Sequence, residues 1–255
     1  MDKTQQGHIK LEIEDKIGTI EFFHPSHNSL PSGLLKQLQT TILECGQNDE
    51  ILIIVLKSAG ERTFCAGASF DELISIEYED QGKTFFMGFA NVINAIRTCG
   101  KLVIGRVQGK AVGGGVGLAS AVDYCMSTKY GSVKLSELAV GIGPFVIGPV
   151  VQRKIGLSAF SQLAINATEW QTAKWAQSRG LYQDIFDTTE QMDDYIKRFT
   201  DTLKMMNPEA LSGLKKIFWE GTEHWHNLLE SRAETSGQLV LSKFSKETIK
   251  SFLKS

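Results

Sequence analysis

The run Ile51-Leu52-Ile53-Ile54-Val55-Leu56 constrains this chain more than any other stretch: six consecutive apolar residues, four of them β-branched. A strand with no polar face must be covered on both sides, which implies a parallel or helix-covered sheet. The surrounding periodicity agrees. Leu11 to Glu14 and Thr19 to Phe22 alternate on either side of a polar turn at 15–18, the mark of a hairpin. Ser29-Leu30-Pro31 starts a helix in which Leu35, Leu38 and Ile42 recur at helical spacing, ending near Gly46. A second cycle follows the loop from Ser58 to Ala68. It has a helix from about Lys83 to Thr98, with Phe86, Phe89, Val92, Ile93 and Ile96 inward, then a strand from Lys101 to Val107 and an apolar segment from Val116 to Met126. Repeated strand-strand-helix units without Gly/Pro-rich linkers argue for one continuous α/β core. From about Ser158 the pattern is mostly helical, over Trp170 to Ser178, Met192 to Met206, Pro208 to Gly221 and Trp225 to Leu241, with one short strand at Leu181 to Phe186. A boundary near 195 is therefore expected, dividing a core (1–195) from a helical C-terminal region (196–255).

Composition excludes several function classes. The 255 residues suit one large domain, or one with an appendage. A formal net charge of −2 provides no basic field for nucleic acid or an anionic membrane. No apolar run approaches the ~18 residues of a membrane span, and the first eight residues lack an apolar signal core. Cys45, Cys65, Cys99 and Cys125 are widely spaced, so reduced thiols and a cytoplasmic location are expected.

Two loops of small residues can carry chemistry. Phe64-Cys65-Ala66-Gly67-Ala68-Ser69 follows the buried strand, and Gly109-Lys110-Ala111-Val112-Gly113-Gly114-Gly115 follows the second strand and opens a helix. Small side chains admit a ligand close to the backbone, and a helix N-terminus adds free N–H donors and partial positive charge. Facing each other, such loops could place two N–H groups on one carbonyl oxygen; equally, the glycines could serve only tight helix–strand packing. A dinucleotide loop fits poorly. Gly115-Val116-Gly117-Leu118-Ala119-Ser120 lacks the third glycine and stands too far from the strand.

As a set, these segments resemble the enoyl-CoA hydratase/isomerase (crotonase) family. The resemblance takes in Ser29-Leu30, both small-residue loops, Val122-Asp123-Tyr124-Cys125, Ser136-Glu137-Leu138-Ala139-Val140-Gly141-Ile142, Gln152-Arg153 and Ser251-Phe252-Leu253. It runs through essentially the whole chain in order. It implies a crotonase (ClpP-like) spiral of ββα repeats, a helical C-terminal region used for trimer assembly (a homotrimer or dimer of trimers), and an acyl-CoA thioester as substrate. No separate cofactor is implied, coenzyme A being part of the substrate, and no nucleic acid, membrane or metal. The amides of Ala68 and Gly114 would hold the thioester oxygen, with Ala66, Gly67, Gly115, Gly117, Phe145 and Leu30 around the substrate.

The chain departs from the hydratase pattern in three places. Hydratases of the family carry two glutamates; here the first position is Gly117 and only the second, Glu137, remains. A lone glutamate resembles the family's double-bond isomerases, since one carboxylate can take a proton from C2 of a 3-enoyl thioester and return it to C4. Gly143-Pro144-Phe145-Val146-Ile147-Gly148-Pro149 is bulkier and more apolar than the glycine-rich loop of hydratases, and Ser69 stands where Asp is common. Hydration of an enoyl-CoA, including a methylglutaconyl-type one, is the alternative reaction. A non-catalytic acyl-CoA-binding relative is the alternative of another class. Glu137 needs a raised pKa, from an apolar pocket, to act as a base near neutrality.

Weaker candidates are His24 and His27 near the expected CoA region, and Lys246, Lys250 and Lys254 beside Phe252. The latter form either a solvated helix face or a CoA-phosphate contact. His224-Trp225-His226 lacks a third metal ligand, and Cys65 has no His near in sequence to activate it.

Overall fold

The computed structural model describes residues 7–252. The expected hairpin is β1 (His8–Glu14) and β2 (Ile17–Phe23), antiparallel, with Asp15 and Lys16 at positive φ in its two-residue turn. After α1 (Ser32–Gln47), three ββα turns follow in order. The first is β3 (Ile53–Ser58), β4 (Thr63–Cys65) and the helices α2 (Phe70–Ser75) and α3 (Glu79–Thr98). The second is β5 (Leu102–Val107), β6 (Lys110–Val112) and α4 (Gly114–Ala121). The third is β7 (Tyr124–Thr128), β8 (Val133–Lys134) and α5 (Gly148–Ile165), which is broken at Gly156. Each turn gives its first strand to a six-stranded sheet, ordered β1-β2-β3-β5-β7-β9 with β9 at Asp184–Phe186, and its second to a three-stranded sheet, β4-β6-β8. Apart from β1, neighbours in both sheets are parallel. This is the ββα spiral expected from the resemblance.

The six-residue apolar run reports its position faithfully. Ile53, Ile54 and Leu56 are fully buried, with α1 and α3 on one face and Met192 and Ile196 on the other. The remaining elements are α6 (Ala173–Ser178), β9 (Asp184–Phe186), α7 (Thr189–Leu203), α8 (Pro208–Phe218), α9 (Trp225–Leu239) and α10 (Lys243–Phe252). Residue 195, the expected boundary, lies inside α7.

Three expectations about local structure are corrected. Val116 to Met126 is not one element: α4 ends at Ala121 and β7 starts at Tyr124. Both pieces are buried on almost every side, so neither shows the polar face whose period would separate them. The helical part begins at Gly148 rather than near Ser158, with Pro149 in the first turn of α5. The helix expected from Trp170 starts only at Ala173, because Gln171 pairs with Val133 and Thr172 caps the helix.

Two close approaches set the position of the C-terminal helices. Gly82 of α3 meets Gly237 of α9 so tightly that a Cβ on Gly82 would lie 2.6 Å from Gly237 Cα. Lys215 of α8 reaches the start of β7, its Nζ donating to Asp123 Oδ2 at 2.7 Å with both side chains almost fully buried. Among the described residues no helix is long and apolar enough to cross a membrane.

Candidate active site

Parallel strands expose loop ends and helix N-termini at their carboxyl edge, where ligands of α/β sheets bind. In the small sheet that edge gathers three loops. β4 ends at Cys65, β6 at Val112 and β8 at Lys134, in register through Cys65–Ala111 and Val112–Lys134. Ala68, Gly114 and Glu137 follow these ends by three, two and three residues. All three line one cavity, with Ala66, Gly67, Gly113, Phe145 and Ile147 among its other walls.

The backbone of the first two loops is held from behind. Leu30 N donates to Gly67 O at 2.8 Å in a parallel bridge between Leu30 and Ala68, which leaves the Ala68 N–H on the opposite side of the chain. Gly114 is the first residue of α4, where an N–H has no partner within the helix. Neither amide donates a hydrogen bond among the described residues. The loops touch here: a Cβ on Gly67 (φ +91°) would stand 3.0 Å from Val112 O and 3.4 Å from Gly114 N. Two amides free at one cavity wall can serve a single oxygen.

Glu137 comes from the third loop. Its backbone accepts from Val140 N and Ile142 N in the 3-10 turn Leu138–Val140, which fixes where the side chain leaves the chain. The carboxyl lies against Gly113, where a Cβ would approach Oε1 to 2.8 Å. Although the residue as a whole is only partly buried, Oε2 is shielded from solvent and has no hydrogen-bond partner. Desolvation pushes the pKa up to about 7, opposed by a hydrogen bond from its own backbone. A carboxyl poised there both accepts and returns protons near neutral pH. Its ionisation should appear as an acidic limb in kcat/KM against pH, with a midpoint near 7 that is absent from a Glu137→Gln variant. A limb near 4.5 would mean the carboxyl is solvated.

Among the described residues lining the cavity, Glu137 is the one carboxylate. The rest are small or apolar, apart from Ser136 and Ser236. Ser236 comes from α9, and nothing in the periodicity of that helix marks it as a site residue.

Other expected site residues lie outside this cavity. Gly117 sits one helical turn below Gly114, and Ile147 fills the space in front of it: a Cβ at 117 would be 2.5 Å from Ile147 Cγ2. Gly115 packs on Cys65, where a Cβ would meet Cys65 O at 2.4 Å, and Leu30 stands behind Ala68. His27 is exposed at φ +55° and lines a different, charged groove with Arg62 and Lys110. Its carbonyl nonetheless accepts from Ala66 N. Lys250 is exposed on α10. The side chain of Phe252, and Leu253 and Lys254 entirely, lie outside the described residues. Ser69 caps α2, accepting from Glu72 N. Burial pushes the Cys65 thiol up to about 12, which removes it as a nucleophile.

Residues 12–255 match the family model described as enoyl-CoA hydratase/isomerase. One curated relative is a peroxisomal Delta(3,5)-Delta(2,4)-dienoyl-CoA isomerase of Arabidopsis thaliana, 26% identical over 241 residues and covering 86% of this chain and 85% of that one. Another is a short-chain-enoyl-CoA hydratase of Clostridium acetobutylicum, 25% identical over 250 residues, 97% of this chain and 95% of the relative. The solved enoyl-CoA hydratase from Bacillus halodurans superposes with a TM-score of 0.88 at 20% identity, over 95% of this chain and 99% of that one, a likeness of fold.

Proposed function

The chain belongs to the enoyl-CoA hydratase/isomerase family, which acts on acyl-CoA, and from that premise we propose that it moves the double bond of a 3-enoyl-CoA into conjugation with the thioester. Removing a proton from C2 drives negative charge onto the thioester oxygen, and the amides of Ala68 and Gly114 receive it. Each such donor stabilises the transition state by roughly 3–4 kcal/mol where it is pre-aligned. Glu137 takes the C2 proton and delivers it to C4, completing the 1,3-shift with no net change in protonation.

The observation that carries this reading is the single carboxylate, among the described residues, in a cavity whose other walls are small or apolar apart from two serines. Hydration asks the site to hold and deprotonate a water while a proton is added at C2. The position where the family's hydratases carry their other glutamate, Gly117, is blocked by Ile147. The acid shares its cavity with Phe145, Val146 and Ile147, side chains suited to an acyl chain rather than to water. The residues need no cofactor beyond the coenzyme A of the substrate itself. Assembly as a trimer or dimer of trimers, as the resemblance implies, is part of the same proposal.

The test is to give the purified protein a 3-enoyl-CoA and a 2-enoyl-CoA separately and follow the absorbance of the conjugated thioester. Conjugation should grow from the first substrate and persist in the second. Rapid loss of conjugation from the 2-enoyl-CoA would make the enzyme a hydratase. Binding of both without change would make it a non-catalytic acyl-CoA-binding protein.

A further inference from the structure

A second cavity lies behind the active site, where the end of α4 meets α5 and α8. It shares none of its lining residues with the first, and its walls include the apolar side chains of Val122, Val150 and Trp219. Its charges do not cancel. Asp123 is fully engaged: Oδ2 accepts from Lys215 Nζ and from Val103 N, each at 2.7 Å, and Oδ1 accepts from Trp219 Nε1 at 2.9 Å. Lys215 and Asp123 therefore neutralise each other, and two cations remain. Lys154 Nζ donates to the carbonyls of Val122 at 3.0 Å and Asp123 at 3.2 Å, which leaves one of its three N–H bonds unspent. The Arg153 guanidinium lies 4.9 Å from the centre of the Trp219 ring and makes no ion pair among the described residues.

The third polar group is a hydroxyl. Ser120 is only 3% exposed, lines this cavity, and its Oγ has no hydrogen-bond partner. A buried hydroxyl left unpaired is costly, and a helical serine ordinarily relieves the cost by bonding back to the preceding turn. Two cations without an acidic partner, Arg153 exposed to solvent and Lys154 partly buried, and a free hydroxyl around one pocket suit a group that only accepts hydrogen bonds and carries negative charge. Burial also holds the Lys154 ammonium below the usual lysine range, an effect that a bound anion would reverse.

We propose that this cavity binds a small oxyanion, phosphate or carboxylate, between Arg153, Lys154 and the Ser120 hydroxyl. The site is independent of the reaction assigned to the other cavity. It is nonetheless joined to it mechanically, because α4 begins at Gly114 and α5 follows directly from Ile147, both of which line that cavity.

The experiment is calorimetric titration of the whole protein with inorganic phosphate and with acetate, against chloride at the same ionic strength, repeated on Arg153→Gln and Ser120→Ala. One saturable site per chain is expected for at least one oxyanion and none for chloride. Arg153→Gln should weaken it about tenfold or more, and Ser120→Ala several-fold, as loss of a charged and a neutral donor would. Binding of phosphate but not acetate assigns the site to a tetrahedral anion, and the reverse to a carboxylate. Ser120→Ala removes one unpaired oxygen and should fold normally, so it keeps the test valid if Arg153→Gln does not. No saturable binding of either oxyanion, or binding that both variants leave unchanged, overturns the proposal.

Discussion

Replacing Glu137 with Gln should lower kcat by about 10^2- to 10^4-fold, the usual worth of a general acid–base group. Affinity for a CoA ester should stay within about tenfold, ~1.4 kcal/mol. The amide keeps the shape of the carboxyl and its place against Gly113, so what is lost is proton transfer. Steady-state rates together with calorimetric titration of a non-reacting acyl-CoA separate the two effects. A variant with wild-type kcat would remove Glu137 from the chemistry.

The same substitution should stabilise the protein in a pH-dependent way. The folded pKa is raised from an ordinary 4.5 to about 7, so the favoured form in the native state is the neutral one. The associated stability is fully present below pH 4.5 and is lost as pH rises through 7. At ~1.4 kcal/mol per tenfold change, ionising Glu137 in the folded state costs about 3 kcal/mol by pH 8. Gln cannot ionise. Denaturant unfolding at pH 5 and pH 8 should therefore show the variant's advantage over wild type widening at the higher pH. An advantage that is constant with pH would mean that Oε2 is hydrated.

The second large effect is expected at Gly113. Its φ of +52° with ψ −116° is a conformation that residues with a side chain avoid, and a Cβ there would come within 2.8 Å of Glu137 Oε1. Gly113→Ala must shift either the carboxyl or the peptide that carries the Gly114 amide, and those are two of the three groups the proposed reaction uses. A fall of about 10^2- to 10^3-fold in kcat/KM is expected, as for loss of one oxyanion donor. Backbone strain should cost a further 1–3 kcal/mol of stability, as a rough figure. Gly33→Ala is the control, since a Cβ there meets nothing within 4 Å. If Gly113→Ala retained wild-type kcat/KM, the close packing of acid on amide loop would have no catalytic consequence.

Much of this arrangement is legible before any coordinates. Strand β2 of the hairpin and the helices α1, α3 and α7 to α9 each have a period, because each has a face toward the core and a face toward something else; β3 is legible by the opposite sign, an unbroken apolar run buried on both faces. The small sheet is not legible. Its strands are two or three residues long, and β6 lies inside a stretch whose glycines read as loop. Yet this sheet brings Ala68, Gly114 and Glu137 to one edge, so sequence reading could name the residues but could not supply their register. The start of α5 is hidden for a related reason: Gly-Pro-Phe-Val-Ile-Gly-Pro carries turn residues at both ends, and only its last two residues, Gly148 and Pro149, are helical. Gly115, Gly117 and Leu30 belong to the recognisable motifs but stand one layer behind the cavity, where they let the backbone pack rather than line the space. Ser236 was missed because its placement depends on Gly82 meeting Gly237 across two helices distant in sequence.

One label decides whether a lone acid serves this enolate. A 3-enoyl-CoA carrying two deuterons at C2 should be converted in ordinary water and the product examined by mass spectrometry and NMR. Because the carboxyl is shielded from solvent, the deuteron that Glu137 removes should reappear at C4 in a substantial share of the first-turnover product. A C4 position that draws its hydrogen wholly from water would mean that water reaches the carboxyl between the two transfers or that a second proton carrier acts, and would contradict direct transfer by one shielded carboxylate.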